Sequence, residues 1–330
     1  MGRFFSFLLL VIVVALGGAF LYFRTPDTDA GQMRAKYGAP PSQFVNLGGG
    51  LTVHLLDTGP RDGQVVMLVH GSNASLQTWE PWARRLGTRY RVIRFDLPGH
   101  GLTGPSPRRE YSAGAFAEVV EQVRAALNVD HIVLAGNSMG GGVAWTYTLA
   151  HPEHLAGLIL VDAAGQPPAP DYQPPLAFRI ARTPVLRELT AYITPRPLLE
   201  NTIKDAFYDK SLVTPAMVDR YWELLRYPGN RQATIDRFAG TPDPADPAKL
   251  KTIKVPTLIL WGENDALIPV RSAHFFADNI PGSQLIIYPK TGHVPMEERP
   301  DQSAADVYRF IELKTGATAD APAPAPAEAH

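Results

Sequence analysis

Apolar and polar positions follow one another along this chain in blocks that predict an eight-stranded sheet with helices between the strands. Short apolar runs rich in branched side chains are typical of buried strands. They occupy residues 44–47, 51–56, 65–69, 90–95, 132–135, 158–161, 255–261 and 284–288. The first two runs flank three consecutive glycines, which indicates an antiparallel hairpin. Because helical stretches separate the later runs, we expect a mostly parallel sheet flanked by helices, an α/β fold.

The strand–helix alternation stops between residues 166 and 250. This part of the chain is rich in proline, has no strand-like run and favours helices near residues 176–193, 198–208 and 215–227. We therefore predict a folded core made of residues 43–165 and 251–314. Residues 166–250 would form a helical lid inserted between strands six and seven.

Residues 4–23 form a long apolar stretch that is interrupted only by Ser6, a glycine pair and the Tyr22 hydroxyl. A helix of twenty residues spans about 30 Å, the thickness of a bilayer core. A cleaved signal peptide has a shorter apolar region of about 7–15 residues. We therefore favour an uncleaved single-span anchor over residues 1–24, with a cleaved signal as the alternative. Since signal-like N-termini export the domain behind them, we expect the folded domain outside the cytoplasm.

The remaining end segments are polar or of low complexity. Residues 25–42 contain proline and glycine among polar residues, which predicts a linker. The Ala/Pro-rich residues 315–330 cannot build a core and predict a disordered tail.

Charge and cysteine content exclude several classes of function. The formal net charge is −1 and no basic run occurs, which argues against a nucleic-acid-binding protein. The chain has no cysteine, so disulfides, thiolate metal sites, a cysteine nucleophile and a lipidated N-terminal cysteine are excluded. With 330 residues, 45% of them hydrophobic, the chain can bury one large core.

Gly136-Asn-Ser138-Met-Gly140 is a G-x-S-x-G sequence that lies between the fifth predicted strand and a helix. A serine in this context occupies a sharp turn, and glycines on either side allow neighbouring backbone to approach. Taken alone, the motif is equally compatible with a glycine-rich phosphate loop or a plain tight turn.

Two further residues favour nucleophilic chemistry. Asp265 follows the seventh predicted strand and His293 follows the eighth. The chain order Ser138, Asp265, His293 is that of a serine–acid–histidine triad on an α/β sheet. Asp162, directly after the sixth strand, is the competing candidate for the acid.

These motifs, together with His70-Gly-Ser-Asn73, Asp96-Leu-Pro-Gly-His100 and His151-Pro152, resemble serine hydrolases of the α/β-hydrolase fold. The resemblance covers roughly residues 43–313. It implies that the backbone amides of Ser72 and Met139 form an oxyanion hole, that Asp96 and His100 are structural, and that His70 orders its loop. It also implies that a lid shapes the substrate pocket and that neither a cofactor nor a metal is required.

The predicted function is hydrolysis of small to medium carboxylic esters through an acyl-enzyme. The alternative is a C–C bond hydrolase of dienoic ring-cleavage products, since such enzymes share the triad and some share the G-N-S-M-G-G elbow. Haloalkane dehalogenases and epoxide hydrolases are disfavoured because they need an aspartate at position 138. An acyltransferase and a non-catalytic membrane-tethered binding protein on a hydrolase fold remain as further alternatives.

Overall fold

The computed structural model describes residues 2–167, 176–240 and 244–315. A single eight-stranded sheet has the strand order β1-β2-β4-β3-β5-β6-β7-β8. The strands are β1 (Gln43–Gly48), β2 (Leu51–Thr58), β3 (Val65–Val69), β4 (Arg91–Phe95), β5 (Ile132–Asn137), β6 (Leu155–Val161), β7 (Thr257–Gly262) and β8 (Gln284–Tyr288). All eight predicted strands are present, and the α/β prediction is confirmed.

The direction of the strands brings the candidate catalytic residues to one edge of the sheet. Strand β2 pairs antiparallel with both β1 and β4, and every other pairing in the sheet is parallel. Gly48 faces Leu51 across the predicted hairpin. Strands β3, β5 and β7 are buried along their whole length, as expected of strands covered on both faces. Their carboxyl ends therefore meet at one edge of the sheet.

Fourteen α-helices are present in the described residues. They are α1 (Gly2–Phe23), α2 (Ala30–Tyr37), α3 (Glu80–Leu86), α4 (Ala113–Ala126), α5 (Met139–Ala150), α6 (Leu176–Arg182), α7 (Pro184–Thr190), α8 (Arg196–Ala206), α9 (Pro215–Leu225), α10 (Asn230–Ala239), α11 (Pro247–Leu250), α12 (Arg271–Asn279), α13 (Pro295–Glu298) and α14 (Pro300–Thr315). Helices α4, α5 and α12 cover one face of the sheet, with Phe116, Tyr147 and Phe276 in its core. Helices α3 and α14 cover the other face through Trp82 and Phe310.

The described residues between β6 and β7 form helices and no strand. Helices α6 to α10 belong to this region, which we call the insertion. Its packing against the core uses side chains such as Ile203, Phe207 and Val218, which are buried with the second face of the sheet. The helical character that the proline-rich pattern predicted is therefore present.

The N-terminal part of the chain contains two helices. Within α1, residues Phe4–Phe23 have a mean hydropathy of 2.7 and none of the most apolar window is buried, so this helix is long and apolar enough to span a membrane. The predicted linker contains α2, whose Met33 is buried with Leu102 and Tyr227. Residues 316–330 of the predicted tail lie outside the described residues.

Candidate active site

Ser138 occupies the strained turn that the G-x-S-x-G sequence predicts. It lies between β5 and α5 with φ 56° and ψ −119°, a left-handed region in which non-glycine residues are uncommon. The glycines on both sides are required by close packing. A Cβ on Gly136 would come within 2.1 Å of the Gly140 carbonyl oxygen, and one on Gly140 within 2.2 Å of the Val69 carbonyl oxygen. The backbone thus holds the serine at the carboxyl edge of the sheet.

Asp265 and His293 are hydrogen-bonded to each other. Asp265 Oδ2 lies 2.6 Å from His293 Nδ1, and both residues are buried. The other oxygen, Oδ1, accepts the backbone N–H groups of Leu267 at 2.7 Å and Ile268 at 2.9 Å. These two donors fix the carboxylate in the loop after β7. His293 is held in turn by its own backbone N–H, which donates to the Ala206 carbonyl at 2.7 Å.

Asp162, the competing acid, lies beside this pair rather than replacing it. It is fully buried at the end of β6, and its Oδ1 accepts the backbone N–H of Gly262 at 3.0 Å. Burial and the nearby Asp265 carboxylate raise the pKa of the Asp162 carboxyl well above its usual value. Because His293 Nδ1 hydrogen-bonds to the carboxylate of Asp265, the geometry favours Asp265 as the acid.

Among the described residues, Asp162, Asp265 and His293 also form the one group whose potential metal-ligand atoms lie within 4.8 Å of one another. Two of those atoms, Asp265 Oδ2 and His293 Nδ1, already hydrogen-bond to each other. A metal ion at this position would have to displace that hydrogen bond.

The loop after β3 lies against the serine. A Cβ on Gly71 would come within 3.2 Å of the Ser138 Cβ, a contact so tight that a larger residue would require the loop or the serine to shift by a few tenths of an ångström. His70 orders the loop, as expected, because its Nε2 accepts the Leu97 N–H at 3.0 Å while its Nδ1 donates to the Gly71 carbonyl at 2.8 Å. Ser72 follows directly and lines the same cavity as Ser138.

The other predicted oxyanion residue, Met139, is the first residue of α5 and directly follows Ser138. Its amide therefore belongs to the N-terminus of that helix, where N–H groups are free to stabilise negative charge. Its side chain packs against the core.

The remaining loop-ordering predictions concern Asp96 and His100. The Asp96 carboxylate accepts the backbone N–H groups of Leu76 at 2.7 Å and Leu102 at 2.9 Å, and it lies 2.7 Å from His54 Nδ1. His100 Nδ1 lies 3.1 Å from the Pro98 carbonyl. Both side chains are buried and do not line the cavity that Ser138 and His293 line, in agreement with a structural role.

A cavity of about 200 Å³ connects the serine, the histidine and the insertion. Ser138, His293 and Ser72 lie on its wall. Its remaining wall is mainly apolar and is supplied largely by the insertion, including Ile180, Ile193, Leu198, Leu199, Ile203, Phe207, Tyr221, Leu225 and Phe238. The space beside the serine therefore suits an apolar group. Three aromatic residues of the insertion, Phe207, Tyr221 and Phe238, contribute to this wall.

Several residues that position the site carry no signal in the sequence. Asn137, next to the nucleophile, donates its side-chain N–H to the His293 carbonyl at 3.0 Å. Glu298 accepts the Gly292 N–H at 2.6 Å on one oxygen and the N–H groups of Tyr208 and Asp209 on the other. Glu298 thus joins the histidine loop to the insertion. Nothing in the sequence pattern marks it, because these contacts depend only on the tertiary fold.

The insertion also contacts the oxyanion loop. Arg237 on α10 donates from Nη2 to the Ser72 hydroxyl at 2.5 Å, and Thr234 donates to the Asn73 side-chain oxygen at 3.1 Å. Burial lowers the pKa of Arg237 to about 10. Helix α10 therefore binds the side chains of both Ser72 and Asn73.

A second set of contacts ties the end of α1 to the insertion. The Thr25 N–H donates to the Tyr192 carbonyl at 2.7 Å, and the Phe20 and Tyr192 rings meet edge to face. Arg231, which lines the cavity, donates to the Thr25 carbonyl at 2.8 Å and binds the Asp27 carboxylate at 2.5 Å. We call these contacts of residues 25–28 the N-terminal clasp. The segment predicted as a linker is therefore attached to the wall of the cavity.

This chain is similar in sequence and structure to several known proteins. A family model described as alpha/beta hydrolase fold matches residues 64–300. A curated protein of Mycobacterium tuberculosis (strain ATCC 25618 / H37Rv), described as uncharacterized, is 29% identical over 78% of each chain. A 2-hydroxy-6-oxo-6-(2'-aminophenyl)hexa-2,4-dienoic acid hydrolase of Metapseudomonas resinovorans is 28% identical over 84% of this chain and 92% of its own. The crystal structure of a membrane phospholipase A, a novel bacterial virulence factor, is 29% identical with a TM-score of 0.70, over 96% of this chain and 100% of its own.

Proposed function

Because the chain belongs to the α/β-hydrolase family, we propose that it is a serine hydrolase in which Ser138 is the nucleophile, His293 the base and Asp265 the acid. The observation that carries this proposal is the hydrogen bond of 2.6 Å between Asp265 and His293, with His293 and Ser138 on the wall of one cavity. The division of the chain into core, lid and flanking segments at the predicted boundaries is part of the same proposal.

The mechanism follows from the hydrogen bonds. Asp265 accepts the Nδ1–H of His293, which leaves Nε2 free to take the proton of the Ser138 hydroxyl during attack. The tetrahedral oxyanion would be stabilised by the amides of Ser72 and Met139, and losing one such donor costs about 2.7–4 kcal/mol. His293 then returns the proton to the leaving group, and water that His293 activates releases the acyl group.

The cavity favours a carboxylic ester with an apolar acyl or alcohol part as the substrate. Its wall is mainly aliphatic and aromatic. The cation that lines it, Arg231, already binds the carboxylate of Asp27. The relative with the most complete coverage of this chain among those described above is a membrane phospholipase A, which supports an ester substrate.

The second candidate is hydrolysis of a C–C bond in a dienoic acid, and the curated relatives support it better than they support ester hydrolysis. Besides the hydrolase of Metapseudomonas resinovorans, they include a 2-hydroxy-6-oxo-6-phenylhexa-2,4-dienoate hydrolase of Burkholderia cepacia, 28% identical over 79% of this chain. In this reaction Ser138 would attack a ketone carbonyl and keep the acyl group as an ester. The C–C bond to the dienoate would break in place of an ester bond, and its electron pair would pass to the dienoate carbon, which His293 would protonate.

Membrane attachment belongs to the proposal as well. Helix α1 is long and apolar enough to span a bilayer, a property that a signal sequence shares. The contact between Phe20 and Tyr192 supports retention of α1, because cleavage at the end of this helix would remove Phe20. We place the catalytic domain outside the cytoplasm, held by this single span.

The experiment compares bond classes on the full-length chain in detergent. Rates are measured with p-nitrophenyl esters from acetate to decanoate and with 2-hydroxy-6-oxo-6-phenylhexa-2,4-dienoate, and Ser138→Ala is the control. Ester turnover that exceeds dienoate turnover and disappears in Ser138→Ala supports the first candidate. The reverse preference establishes the second candidate. Transfer to an added alcohol would identify an acyltransferase, and no labelling of Ser138 by a fluorophosphonate would indicate a non-catalytic protein.

A further inference from the structure

The outer side of the insertion between residues 176 and 192 carries large apolar side chains in solvent. Leu176 is 60% exposed, Leu186 45%, Leu189 44% and Tyr192 52%. Leu186 and Leu189 are three residues apart on α7 and so lie on one side of that helix. Clustered exposed apolar side chains of this size mark an interaction surface. We call these four residues the outer apolar face.

The same segment also contributes to the wall of the cavity. Ile180, Thr190 and Ile193 line it, and so do Pro195 and Leu198, which are both exposed. Helices α6 and α7 therefore form a layer that reaches both the solvent and the space beside Ser138.

Helix α1 ends at this layer. The Phe20 and Tyr192 ring centroids are 6.0 Å apart, and the Thr25 N–H donates to the Tyr192 carbonyl. Tyr192 thus belongs both to the outer apolar face and to the contact with the last turn of α1. Where α1 leaves a bilayer, the outer apolar face lies next to the lipid headgroups.

The charges of the segment suit an anionic lipid surface. Helices α6 and α7 carry Arg179, Arg182 and Arg187 and one acidic residue, Glu188. Interfacial helices combine an apolar face with such basic residues, and they lie about 5–10 Å deep at the boundary of headgroups and acyl chains.

We propose that α6 and α7 lie in the surface of the bilayer that α1 spans, so that the cavity receives its substrate from the lipid phase. The proposal rests on the proposed anchor and names the substrate class as a membrane-soluble one. The outer apolar face would contact the bilayer itself, because this face is continuous with the end of α1 through Tyr192.

The test uses the full-length chain in lipid nanodiscs. Since the chain has no cysteine, single cysteines introduced as Leu186→Cys and Leu189→Cys can be labelled with bimane without background. Asp62→Cys, exposed in the turn before β3 at the opposite edge of the sheet, is the matched control, and Val13→Cys reports on α1. Fluorescence is compared in discs with ordinary lipids and with lipids brominated on the acyl chains.

We expect bromolipids to quench the labels at positions 13, 186 and 189 and to leave the label at position 62 unchanged. Quenching at 13 without quenching at 186 and 189 overturns the proposal while the anchor stands. If the label at position 13 is not quenched either, both the proposed membrane anchor and this proposal are refuted. Ester and dienoate turnover are measured separately, so the result does not depend on the proposed reaction.

A second inference concerns Asp162, whose carboxyl the mechanism does not use. It is fully buried and has φ 44°. One of its carboxylate oxygens lies within 4.8 Å of a carboxylate oxygen of Asp265 and a ring nitrogen of His293. Its Oδ2 accepts no hydrogen bond from the described residues. A non-glycine residue in this conformation is strained, and strained residues persist where the surrounding structure enforces them.

We infer that Asp162 is a protonated positioning residue that donates its carboxyl hydrogen to the carboxylate of Asp265. Two carboxylates this close cannot both be ionised without repulsion, so one of them holds a proton. Asp265 accepts from His293 and from two backbone amides and is therefore the ionised partner. The other charged or titratable groups near Asp162 are Glu298 and Tyr288, and the negative charge of Glu298 also favours a neutral Asp162.

The test compares two substitutions that both accept a positive φ. Asp162→Asn keeps a donor towards Asp265, whereas Asp162→Gly keeps the backbone conformation and removes the donor. The readout is the rate at which a fluorophosphonate labels Ser138, followed by mass spectrometry as a function of pH. This rate reports the activated serine and does not depend on the natural substrate.

We expect Asp162→Asn to label at nearly the rate of the unaltered chain with the same pH profile. Asp162→Gly should label about ten- to a hundredfold more slowly, the effect of losing one buried hydrogen bond to a charged group. Equal loss in both variants, with both shown to be folded by circular dichroism, overturns the inference. If both variants keep the labelling rate of the unaltered chain, the inference is also overturned. If Ser138 is not labelled in the unaltered chain, the inference is overturned together with the proposed nucleophile.

Discussion

Replacing Gly140 by alanine should lower the activity about a hundredfold while leaving the protein folded, whereas the same substitution at Gly142 should preserve both activity and fold. Both glycines lie in α5, one helical turn or less from Ser138. A Cβ on Gly140 would come within 2.2 Å of the Val69 carbonyl oxygen and 2.6 Å of the His70 carbonyl oxygen. A Cβ on Gly142 would meet the Ala164 carbonyl oxygen at 3.4 Å, an ordinary contact.

The magnitude follows from the displacement that the new atom requires. To reach an acceptable contact, the Cβ at position 140 must move α5 away from the end of β3 by roughly 1 Å, a misplacement that can cost about a hundredfold in rate. The overpacking should also lower the free energy of unfolding by about 1–3 kcal/mol. Alanine at 142 should instead raise that free energy by roughly 0.5–1 kcal/mol, because glycine is unfavourable inside a helix.

The assay measures kcat/KM with the best ester or dienoate and the urea midpoint of unfolding for each variant. We expect Gly140→Ala to lose about a hundredfold in kcat/KM and Gly142→Ala to remain within a few-fold of the unaltered chain. If Gly140→Ala keeps full activity, the close approach of the elbow to β3 does not position the nucleophile, and this explanation of the motif is refuted.

Three other changes test the surroundings of the histidine. Asp265→Asn should lower kcat by about 10⁴-fold, because an amide cannot hold the His293 tautomer, and retained activity at steady state would disprove its role as the acid. Glu298→Ala should lower kcat and the thermal unfolding temperature together, because it frees the histidine loop from the insertion; unchanged values of both would contradict this link. Since the folded-state pKa of Asp162 is raised, the native chain keeps a proton that the unfolded chain loses. Urea unfolding should therefore show stability falling relative to Asp162→Asn as the pH rises from roughly 4 to 7, and parallel curves would refute the shift.

The strands and the positions of the candidate triad residues were accessible from the sequence, because each of these residues follows a strand that a local apolar run predicts. A fully apolar run such as residues 65–69 identifies a strand buried on both faces, and β3 spans those same residues. Parallel strands end at one edge, so residues that follow β5, β7 and β8 had to meet there. The hydrogen bond between Asp265 and His293 joins two such positions. The catalytic roles of the predicted residues remain predictions.

The supporting contacts were inaccessible because they connect distant polar residues with no periodic signal. Glu298 appears in the sequence as one of several charged residues after His293, yet it ties the histidine loop to Tyr208. The segment 25–42 was expected to be a linker because its composition is polar. Its attachment to the insertion depends on hydrogen bonds and on ion pairs such as Lys36 with Glu223, which leave no apolar pattern.

The N-terminal clasp has a consequence for the order in which the molecule can be built. Thr25 and its partner Arg231 are separated by 206 residues, so α1 leaves the ribosome long before the arginine that binds the segment behind it has been synthesised. Contacts of such sequence separation are slow to form, because the long loop between the two residues must be closed first. We therefore expect the sheet to assemble first, while α1 is still detached from it. Closing the N-terminal clasp would be the final step, and it would complete the wall of the cavity.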